Sequence, residues 1–403
     1  MKKVLIFSLN YYPRFIGGAE VAIKEITDRI SPEDIEFHMV TLRIDSNLPR
    51  EERVGNVVVH RIGASHTDPS IADLKKFPLH LLKHWYQYAA AREASRLHRT
   101  YRFDGVWAMM AHATGIPAGL FKTFHPDVPY LLTLQEGDPP EYIEKLARPV
   151  WPLFVRAFTK ADYLQSISTF LEAWGKRMGF KGHAQVIPNA VNAEHFAHSY
   201  MSAEIQAMRE KLGKRPDDVF LVTTSRLVHK NAVDDVIHAL PLLPGTVHFI
   251  IYGIGPDEEM LKSLARDLGV GSRTHFMGQI GHAEMPLALK ACDMFIRPSR
   301  SEGMGNSFVE AMAAGLPVIA TQEGGIADFL FDAKRNPDKD TTGWAVDKDS
   351  PEQIAEAVND IIAHPDTVAK VVPTAKALAF GTYDWNLIAR NMRTLFGRMF
   401  EKP

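Results

Sequence analysis

The chain has 403 residues, 46% of them hydrophobic and 23% charged, and 46 Lys and Arg against 48 Asp and Glu leave a formal charge of −2. That length allows two or three domains, each with its own core, and the ordinary hydrophobicity argues against wholesale disorder. The near-neutral balance argues against a nucleic-acid partner bound by a globally basic face, and no apolar run reaches the ~18 residues of a membrane helix.

Residues 4–9 are a short apolar run with turn residues after it, the pattern of a buried first strand. The run follows Met1-Lys2-Lys3 but stops at Asn10, short of the ~7–15 residues of a signal-peptide core. With a single cysteine, Cys292, and so no internal disulfide, a reducing, cytoplasmic setting is expected, with contact at the inner membrane face as an added possibility. Gly17-Gly18-Ala19-Glu20 opens an amphipathic helix to about residue 30. Strand-type runs recur at 37–42, 57–61, 105–109, 130–134, 163–166 and 185–187, with helical patterns between several, notably 78–99. Pro188-Asn189 ends this series, and the polar stretch 192–216 separates it from a second. That second series alternates strands at 219–224, 247–252, 274–277, 294–297 and 317–321 with helices at 233–240, 258–268, 283–291 and 307–314. After Pro373 the chain turns helical again and ends in a helix over 385–400. Strands alternating with helices predict parallel sheets covered on both faces. The expected division is a Rossmann-like domain over 1–190, a linker over 191–215, a second Rossmann-like domain over 216–380, and a terminal helical segment over 381–403.

Ser301-Glu302-Gly303-Met304-Gly305-Asn306-Ser307-Phe308-Val309-Glu310 carries two carboxylates eight positions apart, between a predicted strand and an Ala-rich helix. Glu302 falls in the loop at a strand's carboxyl end, where ligands of open α/β sheets bind. The glycines permit close backbone approach, and the amides of Asn306 and Ser307 sit at a helix N-terminus suited to phosphate oxygens or sugar hydroxyls. Glu310 lies about one turn into the helix, where a carboxylate accepts hydrogen bonds from two adjacent hydroxyls. On spacing alone, a capping loop with a surface glutamate explains the stretch slightly better. The block, continued by Ala311-Met312-Ala313-Ala314-Gly315-Leu316-Pro317-Val318-Ile319-Ala320-Thr321 and Gly324-Gly325, resembles the E-x7-E motif of the family 4 glycosyltransferases, a retaining group with the GT-B fold. The resemblance implies two Rossmann-like domains facing each other across a cleft, with the domain over 1–190 binding the acceptor. It also implies that Glu310 holds a nucleotide ribose, while Glu302 and the amides of Met304, Gly305 and Asn306 bind the transferred sugar.

Ser225-Arg226-Leu227-Val228-His229-Lys230-Asn231 follows the first strand of the second series. A departing nucleoside diphosphate needs cations in a water-poor cleft, which Arg226 would supply bidentately and Lys230 as a point charge. Two basic residues on a loop are ordinarily just solvated; position and resemblance to the family's S-R-L-x-x-x-K block reverse that reading. The family lysine often falls one place later, where this chain has Asn231. The Gly17-Gly18 turn lacks G-x-G-x-x-G spacing, so no dinucleotide site is indicated, and the resemblance implies that Gly18 faces the diphosphate. It also implies base contact at Gly278, Gln279 and Ile280.

None of the 17 histidines forms a ligand cluster, and Asp338-Lys339-Asp340 reads as a polar turn, so neither a metal nor any other cofactor is expected. Where the family often has a histidine on the acceptor side, Leu132-Thr133-Leu134-Gln135-Glu136-Gly137-Asp138 offers Gln135, with Glu136 and Asp138 as acceptor contacts or ordinary turn residues. His112, at another strand end, is a weak candidate for the same role. Residues 75–102 hold seven basic side chains against Glu93, interleaved with Trp85, Tyr86 and Tyr88. That pattern suits a sheet-covering helix somewhat better than the alternative, a peripheral contact with an anionic membrane. The whole reading is a metal-independent hexosyltransferase moving sugar from a UDP- or GDP-linked donor to a hydroxyl of a glycan or lipid-linked acceptor. A nucleotide-sugar epimerase or hydrolase, and a non-catalytic nucleotide-sugar binder, are the rivals.

Overall fold

A computed structural model describes residues 1–14, 16–63, 66–69, 76–77 and 81–401. Of the basic stretch considered above, Lys75 and positions 78–80 lie outside the described residues. The chain forms two compact units, the first from residues 1–189 with 385–403, the second from residues 190–384.

The first unit is built on β1 (Lys2–Phe7), β2 (Ile35–Leu42), β3 (Glu51–Val54), β4 (Val57–Ile62), β5 (Gly105–Met109), β6 (Tyr130–Leu134), β7 (Tyr163–Ser166) and β8 (His183–Val186). They lie in the order β3-β4-β2-β1-β5-β6-β7-β8, all neighbours parallel except the β3–β4 hairpin. β1 reads as an unbroken apolar run because both faces are covered: Val4, Leu5, Ile6 and Phe7 are all fully buried. The terminal helix Trp385–Phe400 belongs to this unit, its Phe396 ring edge-on to Phe37 at 5.8 Å and to Trp107 at 5.3 Å. A Cβ on Gly105 would stand 2.4 Å from the Met399 methyl, the flexible end of a side chain that would have to turn aside.

The second unit carries β9 (Val219–Thr224), β10 (Val247–Tyr252), β11 (Thr274–Gly278), β12 (Met294–Arg297), β13 (Val318–Ala320) and β14 (Trp344–Ala345), all parallel in the order β11-β10-β9-β12-β13-β14. Leu221, Phe249 and Ile251 from the sheet pack with Ile237, Ile354 and Val358 from the covering helices.

Residues 191–215 are not a linker: helices Ala193–Ala197 and Ser202–Lys211 fill them and belong to the second unit. The first is capped by Asn192, whose side chain accepts from the His195 amide at 3.1 Å, and the second buries no residue. An exposed helix has the composition of a connector, so polarity alone misleads here. Pro373 does not precede a helix but lies inside Pro365–Thr382, a second-unit helix, and the segment that returns to the first unit starts at Trp385 rather than 381.

Candidate functional site

In the second unit, the loops following five strands are tied into one rim along the carboxyl edge of the sheet. The Leu227 amide donates to the Ile254 carbonyl at 3.1 Å, and the Gly253 amide to the Gly278 carbonyl at 2.8 Å, joining the β9, β10 and β11 ends. The Arg300 amide donates to the Lys230 carbonyl at 2.8 Å, and the Gly325 amide to the Glu302 carbonyl at 3.0 Å, adding the β12 and β13 ends. Arg226, Lys230, Gly278, Gln279, Ile280, Glu302, Met304, Gly305, Asn306, Ser307 and Glu310 therefore stand on this rim or at the start of the helix Asn306–Ala314 that leaves it.

Arg226 is exposed, and its guanidinium makes no hydrogen bond or ion pair with a described residue. Its loop is shaped by Asn231, which is buried and donates through Nδ2 to the Arg226 carbonyl at 2.6 Å. Asn231 is thus a brace and Lys230 the half-buried cation of the pair. A further brace escaped the sequence reading. Arg300 fans out to Asp234 at 2.9 and 3.0 Å, to Asp235 at 2.6 Å and to Asp349 at 2.5 Å, riveting the 229–235 segment to the β12 loop.

Glu302 is nearly buried and accepts from Arg297 Nη2 at 2.8 Å. Glu310 is half-buried, and burial pushes its carboxyl up to about 7 against the downward pull of Arg297. Met304 is buried, whereas Gln279 is exposed. Thr224 Oγ1, Ser225 Oγ, Ser299 Oγ, Ser307 Oγ and Arg297 Nε are buried without a hydrogen-bond partner among the described residues. Such a concentration on one rim marks where a polar ligand would complete the bonding. Asp338 and Asp340 are exposed on a turn.

The remaining candidates belong to the first unit, at the carboxyl ends of the neighbouring strands β1, β5 and β6. Gly18 begins the helix Gly18–Asp28, and the Gly17 amide donates to the buried Glu20 carboxylate at 2.7 Å. Glu136 is a clamp rather than an open contact: it is buried and accepts from the Ala111 amide at 2.6 Å and the Gln135 amide at 2.9 Å. Gln135 exchanges two bonds with the Asn189 side chain, at 3.0 and 3.2 Å, so its amide is engaged within the unit. His112 is half-buried and its imidazole is pushed below the usual range, first by burial and then by Lys83 and His84. Asp138 stands exposed on the turn after Glu136.

Burial raises the Glu136 carboxyl to about 7, outweighing the amides that favour its charged form. Because its folded value lies above the unfolded one, Glu136's own contribution to the stability of the first unit is fully present below about pH 4.5. About 3 kcal/mol of it should be lost as pH rises toward 7, and little more beyond. Urea unfolding at pH 5 and pH 8 checks this: Glu136→Gln should flatten the difference, and an equal slope in both proteins would count against it.

Two doubly wound parallel-sheet units with ligand-type loops at the carboxyl edges define the GT-B class. The fold is shared with sucrose-phosphate synthase from Thermosynechococcus elongatus (TM-score 0.81, 19% identity, 99% of each chain) and with the Anabaena protein HepE solved in complex with UDP (TM-score 0.76, 18% identity, 99% of this chain and 100% of that one). Residues 16–195 match Glycosyltransferase Family 4 and residues 204–378 match Glycosyl transferases group 1. The chain belongs to glycosyltransferase family 4. Among curated relatives, a GDP-mannose-dependent alpha-(1-6)-phosphatidylinositol monomannoside mannosyltransferase from Mycolicibacterium smegmatis is 31% identical over 251 residues, 59% of this chain and 63% of that protein. The first such matches take in 59% to 63% of the relatives' own length.

Proposed function

We propose that this chain transfers a hexosyl group from a nucleotide-diphosphate sugar to a hydroxyl of a glycan or lipid-linked acceptor, retaining the anomeric configuration. The observation that carries the reading is the second-unit rim: a guanidinium at Arg226 that no described residue engages, the Glu302 carboxylate on a neighbouring loop hydrogen-bonded into the same set, and Glu310 on the helix that leaves it. Cations suit a diphosphate, and an acceptor-only carboxylate suits a ribose diol. HepE is described in complex with UDP and the mycobacterial relatives as GDP-mannose-dependent, which supports a nucleotide donor of either kind. Arg226 and Lys230 would neutralise the diphosphate without a metal. Glu302 and the amides from Met304 to Ser307 would hold the sugar, and the 278–280 turn the base. As the anomeric C–O bond to the diphosphate breaks, the acceptor oxygen bonds to the same face of the sugar and its proton passes to a diphosphate oxygen. Rate then comes from positioning and charge stabilisation.

Thermal-shift measurements with UDP-, GDP- and ADP-sugars, followed by transfer assays on glycan and lipid acceptors, test the reading. A rise in melting temperature with one donor and acceptor-dependent release of its nucleotide are expected. Epimer or free sugar formed from donor alone would point to the rival chemistry, and binding without turnover to a sensor.

The acceptor or membrane side of the proposal rests on a first-unit groove of about 1270 Å³ between β4 and the helix Leu82–Tyr101. Arg50, Arg92 and Arg99 line it without a described side-chain partner, beside exposed Trp85 and Tyr88. The helix buries Tyr86, Ala90, Ala94 and Leu97 against the unit, so these aromatics and arginines are in excess of what packing needs. Basic groups near an anionic surface contribute about 1 kcal/mol each. Arg50→Glu/Arg92→Glu/Arg99→Glu is therefore expected to abolish co-sedimentation with phosphatidylglycerol vesicles, and wild type should ignore phosphatidylcholine vesicles. Equal sedimentation of both proteins would remove the membrane contact.

A further inference from the structure

Arg297 closes β12, following the buried apolar residues Met294, Phe295 and Ile296, and is itself buried. A cation at such a place is costly unless it is paired. Its Nη2 donates to Glu302 Oε2 at 2.8 Å, and its guanidinium lies 4.2 Å from the centre of the Phe308 ring. The loop above is cut to fit it. Gly305 has φ +90°, and a Cβ there would meet the Phe308 ring at 2.5 Å and Arg297 Nη2 at 3.0 Å. Both members of the carboxylate pair act on the guanidinium, Glu302 by contact and Glu310 through space.

Resting on the donor reading above, we infer that Arg297 is a positioning residue, a buried cation that aims Glu302 at the ligand and sets the charge environment of Glu310, the acceptor for the hydroxyls of a nucleotide ribose. Holding one Glu302 oxygen leaves the other for a sugar hydroxyl. Glu310 is the more sensitive partner. Burial and Arg297 are the two influences on its carboxyl among the described residues, and they oppose each other. Without the guanidinium only burial remains, and a protonated carboxyl has lost the acceptor capacity that a diol requires.

The test uses the full chain with carboxyl-carbon-labelled glutamate, following the Glu310 signal by NMR against pH and assigning it by its absence in Glu310→Gln. In wild type the signal should titrate near pH 7. In Arg297→Met the midpoint should move up, and UDP or GDP should bind several-fold more weakly at pH 7 but recover toward wild type at pH 9. Arg297→Lys should keep the wild-type midpoint and nucleotide affinity while lowering kcat, because an ammonium keeps the charge but not the planar grip on Glu302. An unchanged Glu310 midpoint in Arg297→Met, or a binding deficit of the same size at pH 7 and pH 9, overturns the inference. Should Arg297→Met not fold, Arg297→Gln gives the same reading. If wild type binds neither nucleotide, the donor reading fails, while the carboxyl titration still decides whether Arg297 controls Glu310.

Discussion

Arg226→Ala should weaken binding of the donor nucleotide by about 100-fold or more and leave the ligand-free melting temperature nearly unchanged. The asymmetry follows from how the loop is held. The Arg226 guanidinium makes no bond to a described residue, whereas its backbone carbonyl accepts from the Val228 amide at 3.0 Å and from Asn231 Nδ2 at 2.6 Å. Removing the side chain therefore deletes no hydrogen bond or ion pair to a described residue. It deletes up to two charge-assisted hydrogen bonds to a diphosphate, each contributing about 1.5–3 kcal/mol, and every 1.4 kcal/mol is about tenfold in affinity. Calorimetric titration with UDP and GDP, beside melting curves of the free protein, checks both halves. A variant that melts much earlier without ligand would make Arg226 a structural residue, and one that binds as wild type would take it out of the site. Arg226→Lys should fall between, since a point charge replaces a fork.

The parts of this protein legible in its sequence are those where one local pattern has one physical outcome. The buried runs of β1 and β9 and the apolar stripe of Trp385–Phe400 each announce an element, and the Glu302–Glu310 spacing announces a strand-to-helix turn. β3 was hidden because its Glu-Glu-Arg-Val sequence is an exposed edge held only by pairing with β4. β14, two residues long, was hidden because it has no pattern of its own. The site divides the same way. Arg226 and Glu310 are recognisable by motif, but Arg297 is recognisable only once Phe308, Gly305 and Glu302 are seen packed around it. Its one sequence signal is an arginine ending an otherwise apolar strand. Gln135 shows another limit: its local sequence carries no sign of the long-range pairing with Asn189, 54 positions away, that engages its amide.

Gly324→Ala should cost about 2–4 kcal/mol of stability in the second unit and more than 100-fold in transfer rate, although Gly324 touches no reacting group in the proposed scheme. Gly324 has φ +61°, and a Cβ on it would stand 2.0 Å from the Glu302 carbonyl oxygen, far inside contact distance. That carbonyl also accepts from the Gly325 amide at 3.0 Å, so the backbone beneath Glu302 is seated on this glycine pair. The methyl group must push the β12 loop outward, carrying the Glu302 carboxylate off Arg297. Gly253 stands in the same relation to the β9 loop, with a Cβ falling 1.8 Å from the Ser225 carbonyl oxygen, so Gly253→Ala should mimic the defect at the diphosphate end. Gly381→Ala is the matched control: the residue is exposed in the helix Pro365–Thr382 with open space around it, and the change should be neutral or stabilise by up to about 1 kcal/mol. Urea unfolding and transfer assays on the three variants separate a general intolerance of Gly→Ala from one confined to the rim. If Gly324→Ala keeps wild-type activity, the β12 loop must yield to a methyl group, and the fixed seating of Glu302 is not what the site requires.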